Sequence, residues 1–147
     1  MVWRWVQLLV SWRCKMKIEF RGKSKADGAW HYGYYHCNRE TPIIVYEWET
    51  PTTIVQNRIP VYPKTVGQYT NVDTPDGKKI FEDDYVLVKD CHPTGYDDFY
   101  GVVEFLEGAW WVDNELMQKA VLLWNESNEI EILGNIHENP DLLEVAE

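Results

Sequence analysis

Four side chains in this sequence are of the types that bind zinc: His36 beside Cys37, and Cys91 beside His92. Two thiolates and two imidazoles are a donor set that tetrahedral zinc accepts. The spacing argues against such a site. Neighbours on a strand point to opposite faces, so each dipeptide offers one ligand at most. Neither C-x-x-C nor H-x-x-x-H occurs. Cys14 is the third cysteine, and three cysteines at wide spacing fit a reducing compartment better than a disulfide framework. Nucleophilic catalysis has no better footing. There is no G-x-S-x-G, no cysteine in an evidently electropositive setting, and no Gly-rich phosphate loop. With 24 Asp and Glu residues, carboxylate pairs arise by chance and say nothing about glycosidase chemistry. The expectation is therefore a protein that is not an enzyme, with no catalytic residue, metal or cofactor. His31 and His137 read as surface or hairpin residues.

Aromatic side chains offer binding rather than chemistry. Trp110-Trp111 on a strand places one indole in the core and one outside. An outward ring beside Tyr32, Tyr34 or Tyr35 would make a stacking or protein-binding face. Burial in a small core is the competing use of the same rings.

The elements that must hold these residues are β-like. The chain has 147 residues, enough for one domain with a real core, and 14% of them are aromatic. From residue 17, Ile18 and Phe20 alternate with Lys17, Glu19 and Arg21. Asp27-Gly28 is a turn dipeptide, and residues 29–35 form an aromatic strand. Residues 43–48 are β-rich. Residues 51–63 hold three prolines and read as a loop with at most a short edge strand. Strands are expected near 65–70, 79–82, 85–89, 100–105, 109–112 and 129–136, with residues 115–124 ambiguous and 91–98 a polar loop. Asn139 as cap and Pro140 as first residue predict a short helical turn over 140–145. Many short strands between turns predict a mainly β fold, a small barrel or sandwich of short antiparallel strands. There is also an internal echo: I-E-F before D-G-A-W at 18–30, and V-E-F before E-G-A-W at 103–110.

Residues 1–15 read M-V-W-R-W-V-Q-L-L-V-S-W-R-C-K. The apolar run is too short and interrupted to span a bilayer and lacks a cleavage site. The segment reads as a leader or extension, with a single β domain at 16–147 where alternation begins abruptly.

The net charge is −10, unevenly spread. Residues 1–30 carry Arg4, Arg13, Lys15, Lys17, Arg21, Lys23 and Lys25 against Glu19 and Asp27, and no Lys or Arg follows Lys119. An acidic body repels phosphate backbones, so nucleic acid is an unfavoured partner and basic proteins a favoured one.

The most specific stretches are T-V-G-Q-Y-T from Thr65, D-G-K-K-I-F-E-D-D-Y-V from Asp76, G-V-V-E-F from Gly101, and I-L-G-N-I-H-E-N-P-D-L-L from Ile132. In order and spacing they resemble the YopX family, small proteins of temperate phages and bacterial prophages. The resemblance runs from about residue 17 to residue 143. It implies a largely β fold, a phage or prophage origin, no enzymatic activity and a cytoplasmic setting in a bacterial host. Its motif positions here are Thr65, Gly67, Gln68, Tyr69, Gly77, Asp84, Gly101, Gly134, Asn135, Asn139 and Pro140, all with structural roles expected. Gly67 and Gly77 read as positive-φ turn positions and Asp76-Gly77 as a type I′ hairpin. Asp84 reads as an acceptor for turn amides. Gln68 and Asn135, if buried, must find backbone partners. Two departures stand out: Asp83 replaces the family's usual glycine at the corner, and residues before Met16 are unlike the family's start. Asp tolerates left-handed backbone, so the turn survives.

The expected function is that of a phage-type accessory protein acting by protein binding or self-assembly, away from the membrane. An acidic mimic of DNA that blocks a host nucleic-acid-binding protein is the alternative. A nucleic-acid-binding small barrel is a further one, disfavoured by charge.

Overall fold

The computed structural model describes residues 18–90 and 98–143. The expectations for residues 1–15, Cys14, Cys91 and His92 lie outside the described residues. Eleven strands form two antiparallel sheets. The first contains β1 (Phe20–Lys23), β2 (Trp30–Asn38), β3 (Thr41–Glu49), β4 (Ile54–Pro60), β5 (Gly67–Asp73) and β6 (Lys79–Phe81), in the order β4-β3-β2-β1-β5-β6. The second contains β7 (Asp84–Asp90), β8 (Phe99–Leu106), β9 (Ala109–Asn114), β10 (Lys119–Leu122) and β11 (Asn128–Asn135), in the order β10-β9-β8-β7-β11. Pro63–Thr65 and Pro140–Leu143 are 3-10 turns. The mainly β expectation holds. The barrel does not: among the described residues no ladder closes either sheet. No helix among them is long and apolar enough to cross a membrane.

The second sheet curls. Residues 123–127 connect its two edge strands and include a reverse turn, Asn128 N–H to Asn125 O at 3.1 Å. A flat five-stranded sheet would be about 19 Å across, more than such a link can span. Its concave face carries Val86, Val88, Phe99, Val103, Val112 and Ile130, all buried. Leu123 and Ile80 fill the hollow, and Val72 and Trp110 pack at its margin. Ile80 and Val72 come from the first sheet, so the two sheets share this core.

The first sheet is staggered. β2 pairs with β1 over residues 30–33 and with β3 over residues 34–38. Gly33 sits at the change of partner, where a Cβ would lie 2.2 Å from the Val45 carbonyl oxygen. Beyond it, the end of β2 with β3 and β4 forms a three-stranded arm. The proline-rich stretch, read as a loop with at most a short edge strand, supplies β4, an edge strand of seven residues in which Pro60 is tolerated because it is terminal.

Turn chemistry explains the other differences. Glu107-Gly108 has φ of 50° and 82°, a two-residue type I′ hairpin. Arg39-Glu40 adopts the same left-handed pair, 45° and 70°, without the usual Asn or Gly. At Asp76-Gly77 only Gly77 is left-handed (81°), and its N–H donates to Thr74 O at 2.8 Å. This is a type I turn followed by a left-handed glycine, not type I′. Gly67 has no positive φ. It is needed because a Cβ there would meet the Glu82 carbonyl oxygen at 2.8 Å.

Candidate functional site

The polar chemistry gathers at the seam between the sheets, where β6 turns into β7. Asp83 is left-handed (φ 68°), as its place in the sequence predicts. Its N–H donates to Val103 O at 2.9 Å, and its carbonyl accepts Ile136 N–H at 3.1 Å. The corner is thus tied to β8 and to the segment after β11. Its carboxylate also meets His137 Nε2 at 2.9 Å. Next in sequence, Asp84 is 2% exposed. Its Oδ2 accepts the Phe81 amide at 2.8 Å, reaching back across the turn as the expected amide acceptor. Its Oδ1 pairs with Arg21 Nη1 at 2.7 Å. Arg21 is itself buried, donates Nη2–H to Glu82 O at 3.0 Å, and lies over the rings of Trp30 and Phe81 at 4.8 and 5.0 Å. Burial pushes the Asp84 carboxyl above its ordinary range, while Arg21 and the Phe81 amide pull it back. Removing either partner would leave a buried charge uncompensated.

The motif positions surround this seam or brace it. Thr65 Oγ1 accepts Lys23 N–H at 2.9 Å and donates to Tyr62 O at 2.8 Å, fastening the link before β5 onto β1. Gln68 O accepts Glu82 N–H at 2.9 Å, and Gln68 N–H donates to the Glu82 carboxylate at 3.3 Å. Tyr69 is buried on Phe81 and donates to Asp73 at 2.6 Å, with burial pushing its hydroxyl up to about 12. Gly101 and Gly134 are close-approach positions, with Cβ contacts of 2.4 Å to Asp113 O and 2.5 Å to Asn139 Oδ1. Asn135 Oδ1 accepts the His137 and Glu138 amides at 3.1 and 3.0 Å. Asn139, expected to cap the last turn, instead turns its side chain back to the Asn135 amide at 3.4 Å. Pro140 opens the turn. Gly77 stands apart, in the β5–β6 turn.

Two hollows flank the seam. A cleft of about 490 Å³ includes Glu19, Arg21, Lys79, Asp84 and Gly134 in its lining. Its three cations are already paired, Lys79 with Glu19, Arg21 with Asp84 and Lys78 with Asp76. On the convex face of the second sheet lies a groove of about 230 Å³ with walls that include Tyr85, Val102, Leu116, Ile136 and Leu143, and with Glu104, Asp113 and Glu115 also lining it. Burial and then the charges of Asp113, Glu115, Asp83 and Glu82 push the Glu104 carboxyl upward.

The arm carries a third surface. His31 stacks on Tyr46 (6.1 Å) and Tyr46 on Trp48 (5.8 Å), giving a row of rings across β2 and β3. Tyr34, Tyr35, Trp48 and Ile54 are exposed. Among the described residues, one side of β4 has no strand beside it. His36 and Cys37 lie on this arm, both exposed, and Cys37 is a free thiol. Among the described residues no three His, Cys, Asp or Glu side chains gather as metal ligands. Trp110 packs against the core and Trp111 sits on the other face, donating to Leu106 O at 3.1 Å.

Sequence reasoning missed the Arg21–Asp84 pair. Alternation put Arg21 on the polar face of β1, which is right, but β1 is an inner strand and that face is covered. The groove was missed because its walls come from four separate segments.

Residues 19–144 match the family model described as YopX protein. No curated protein matches the chain.

Proposed function

The chain belongs to the YopX family, and from that premise we propose that it is a phage-type accessory protein of the bacterial cytoplasm that acts by binding another protein along the free edge of β4. The observation that carries this reading is the arm. Its outer strand presents an edge with no strand beside it over residues 54–59 among the described residues, before Pro60 O accepts Lys25 N–H at 3.0 Å, and exposed Ile54 and Trp48 stand at the open end. An extended segment adding to such an edge gains main-chain hydrogen bonds, and alternate side chains find the rings on either face. A second copy of this chain is one form the partner takes.

The test pairs sedimentation over a concentration series with hydrogen exchange of residues 54–60, in the protein alone and with candidate host proteins. Edge amides that exchange fast in the free protein should become protected in the complex, and Ile54→Lys should abolish it. Association that leaves those amides unprotected, or that survives Ile54→Lys, counts against the β4 edge.

A second reading has its own support. Glu82, Asp83, Asp113 and Glu115 all act on Glu104, and carboxylates gathered in this way suit an acidic mimic of nucleic acid. It requires competition with duplex DNA for a host DNA-binding protein.

A further inference from the structure

We infer that the groove on the convex face of the second sheet is a docking site for a lysine or arginine side chain, flanked by apolar residues, on an extended segment of a partner protein. Apolar and acidic side chains share the lining of the groove. Half-buried Val102 and exposed Leu116 and Leu143, 64% and 41% accessible, are its apolar lining residues beside Tyr85 and Ile136. Glu104, Asp113 and Glu115 line the same space, and no Lys or Arg is among the lining residues. None of the three carboxylates is in an ion pair among the described residues.

Charge complementarity selects the occupant. Neighbouring carboxylates that are partly withdrawn from water repel one another, and a cation entering between them relieves that repulsion. The apolar walls select against a small hydrated cation. A long basic side chain satisfies both: its methylene stem lies on Val102, Leu116 and Leu143 while its head reaches Glu104 and Asp113. The groove is on the second sheet and the β4 edge on the first, so either surface can fail without the other.

The experiment titrates acetyl-Leu-Arg-Leu-amide into the full chain and follows backbone amide shifts. Saturable binding centred on residues 101–104 and 113–116 is expected. Replacing the peptide's arginine by citrulline, or Glu104 by Gln in the protein, should weaken it about tenfold or more, since each removes one charge of a partly desolvated pair. Leu116→Ser provides an independent arm, because Leu116 is exposed and its loss leaves the core untouched; it too should weaken binding. No saturable binding to the unaltered protein overturns the proposal. So does equal affinity for the citrulline peptide, or for Glu104→Gln that melts normally. Spermidine binding as tightly as the peptide also overturns it, since the groove would then serve a free polyamine.

Discussion

The arm and the curled sheet are built from the same alternating pattern and put it to opposite uses. In the curled sheet the inward residues of four strands meet each other and Ile80 and Leu123 in a hollow, and most are fully buried. In the arm Pro42, Ile44 and Val45 are buried and Val61, just past β4, is inaccessible, while Tyr34, Tyr35, Trp48 and Ile54 face solvent. Curvature makes the difference. A sheet that bends over itself supplies its own covering layer; the arm turns back onto β1 only past β4, where Val61 bridges Ser24 and Pro60 O accepts Lys25 N–H, and its outer rings stay in solvent. Core burial is therefore concentrated in the curled sheet, and exposed aromatic surface in the arm.

The buried ion pair at the seam joins the two, and breaking it gives the largest expected effect. Arg21→Met strands the Asp84 carboxylate and should cost about 3–5 kcal/mol in denaturant melts at neutral pH, with Arg21→Met/Asp84→Leu recovering most of the loss. A single variant that melts like the parent would mean that the seam is wetter than its burial implies. Next comes the direct comparison. Leu123→Ala empties a fully buried position and should cost about 2–5 kcal/mol, whereas Trp48→Ala in the arm should change stability by about 1 kcal/mol or less. Equal losses at both positions would erase the distinction between the regions. The left-handed Arg39-Glu40 turn at the arm's tip runs the other way. Replacing it with Asn-Gly should stabilise by about 1–2 kcal/mol, because these residues tolerate positive φ. No gain would imply that the strain is relieved by contacts the turn makes.

The smallest effect is electrostatic. Glu104 has its carboxyl pushed above the ordinary range, so the folded state holds its proton to higher pH than the unfolded chain does. Its ionisation thus subtracts stability as pH rises from the unfolded value through the raised folded one. Glu104→Gln should be slightly more stable than the parent at neutral pH. The difference should shrink as pH falls and vanish below the ordinary carboxyl range. Melts of both proteins from acid to neutral pH check this; an advantage that persists at acid pH would refute the charge explanation.

Much of the arrangement was legible in the sequence because it depends on local chemistry. Alternation located most strands, Asp83 was recognisable as left-handed, Asp84 as an amide acceptor, and Trp110-Trp111 as a pair split across a sheet. What escaped depends on contacts distant along the chain. Whether β1 is an inner or an edge strand decides if Arg21 is buried, and nothing within β1 encodes that. Gly67 looked like a turn residue because a glycine required by close approach has the same letter as one required by φ. Residues 51–63 read as a loop with at most a short edge strand because proline counts against strands; the edge strand is there, and its seven residues are more than the prolines suggested. The His137 contact to Asp83 links positions 54 apart and leaves no local trace.

The order of the second sheet also has a consequence in time. β7 is its first strand in sequence, yet one of its two neighbours is β11, its last, and partners such as Lys89 and Glu131 are 42 residues apart. A growing chain makes β7, β8, β9 and β10 in succession, each able to pair with the one before, while β7 keeps a bare flank and the hollow lacks Ile130 and Ile132. Long-range pairing of this kind is slow, since loop closure must precede the contacts that reward it. Pulse-labelled refolding should find β8–β9 amides protected before those linking β7 to β11. Simultaneous protection would show the curl forming in a single concerted event. Until its final strand arrives, the most stable half of the finished molecule is the half most exposed to unwanted company.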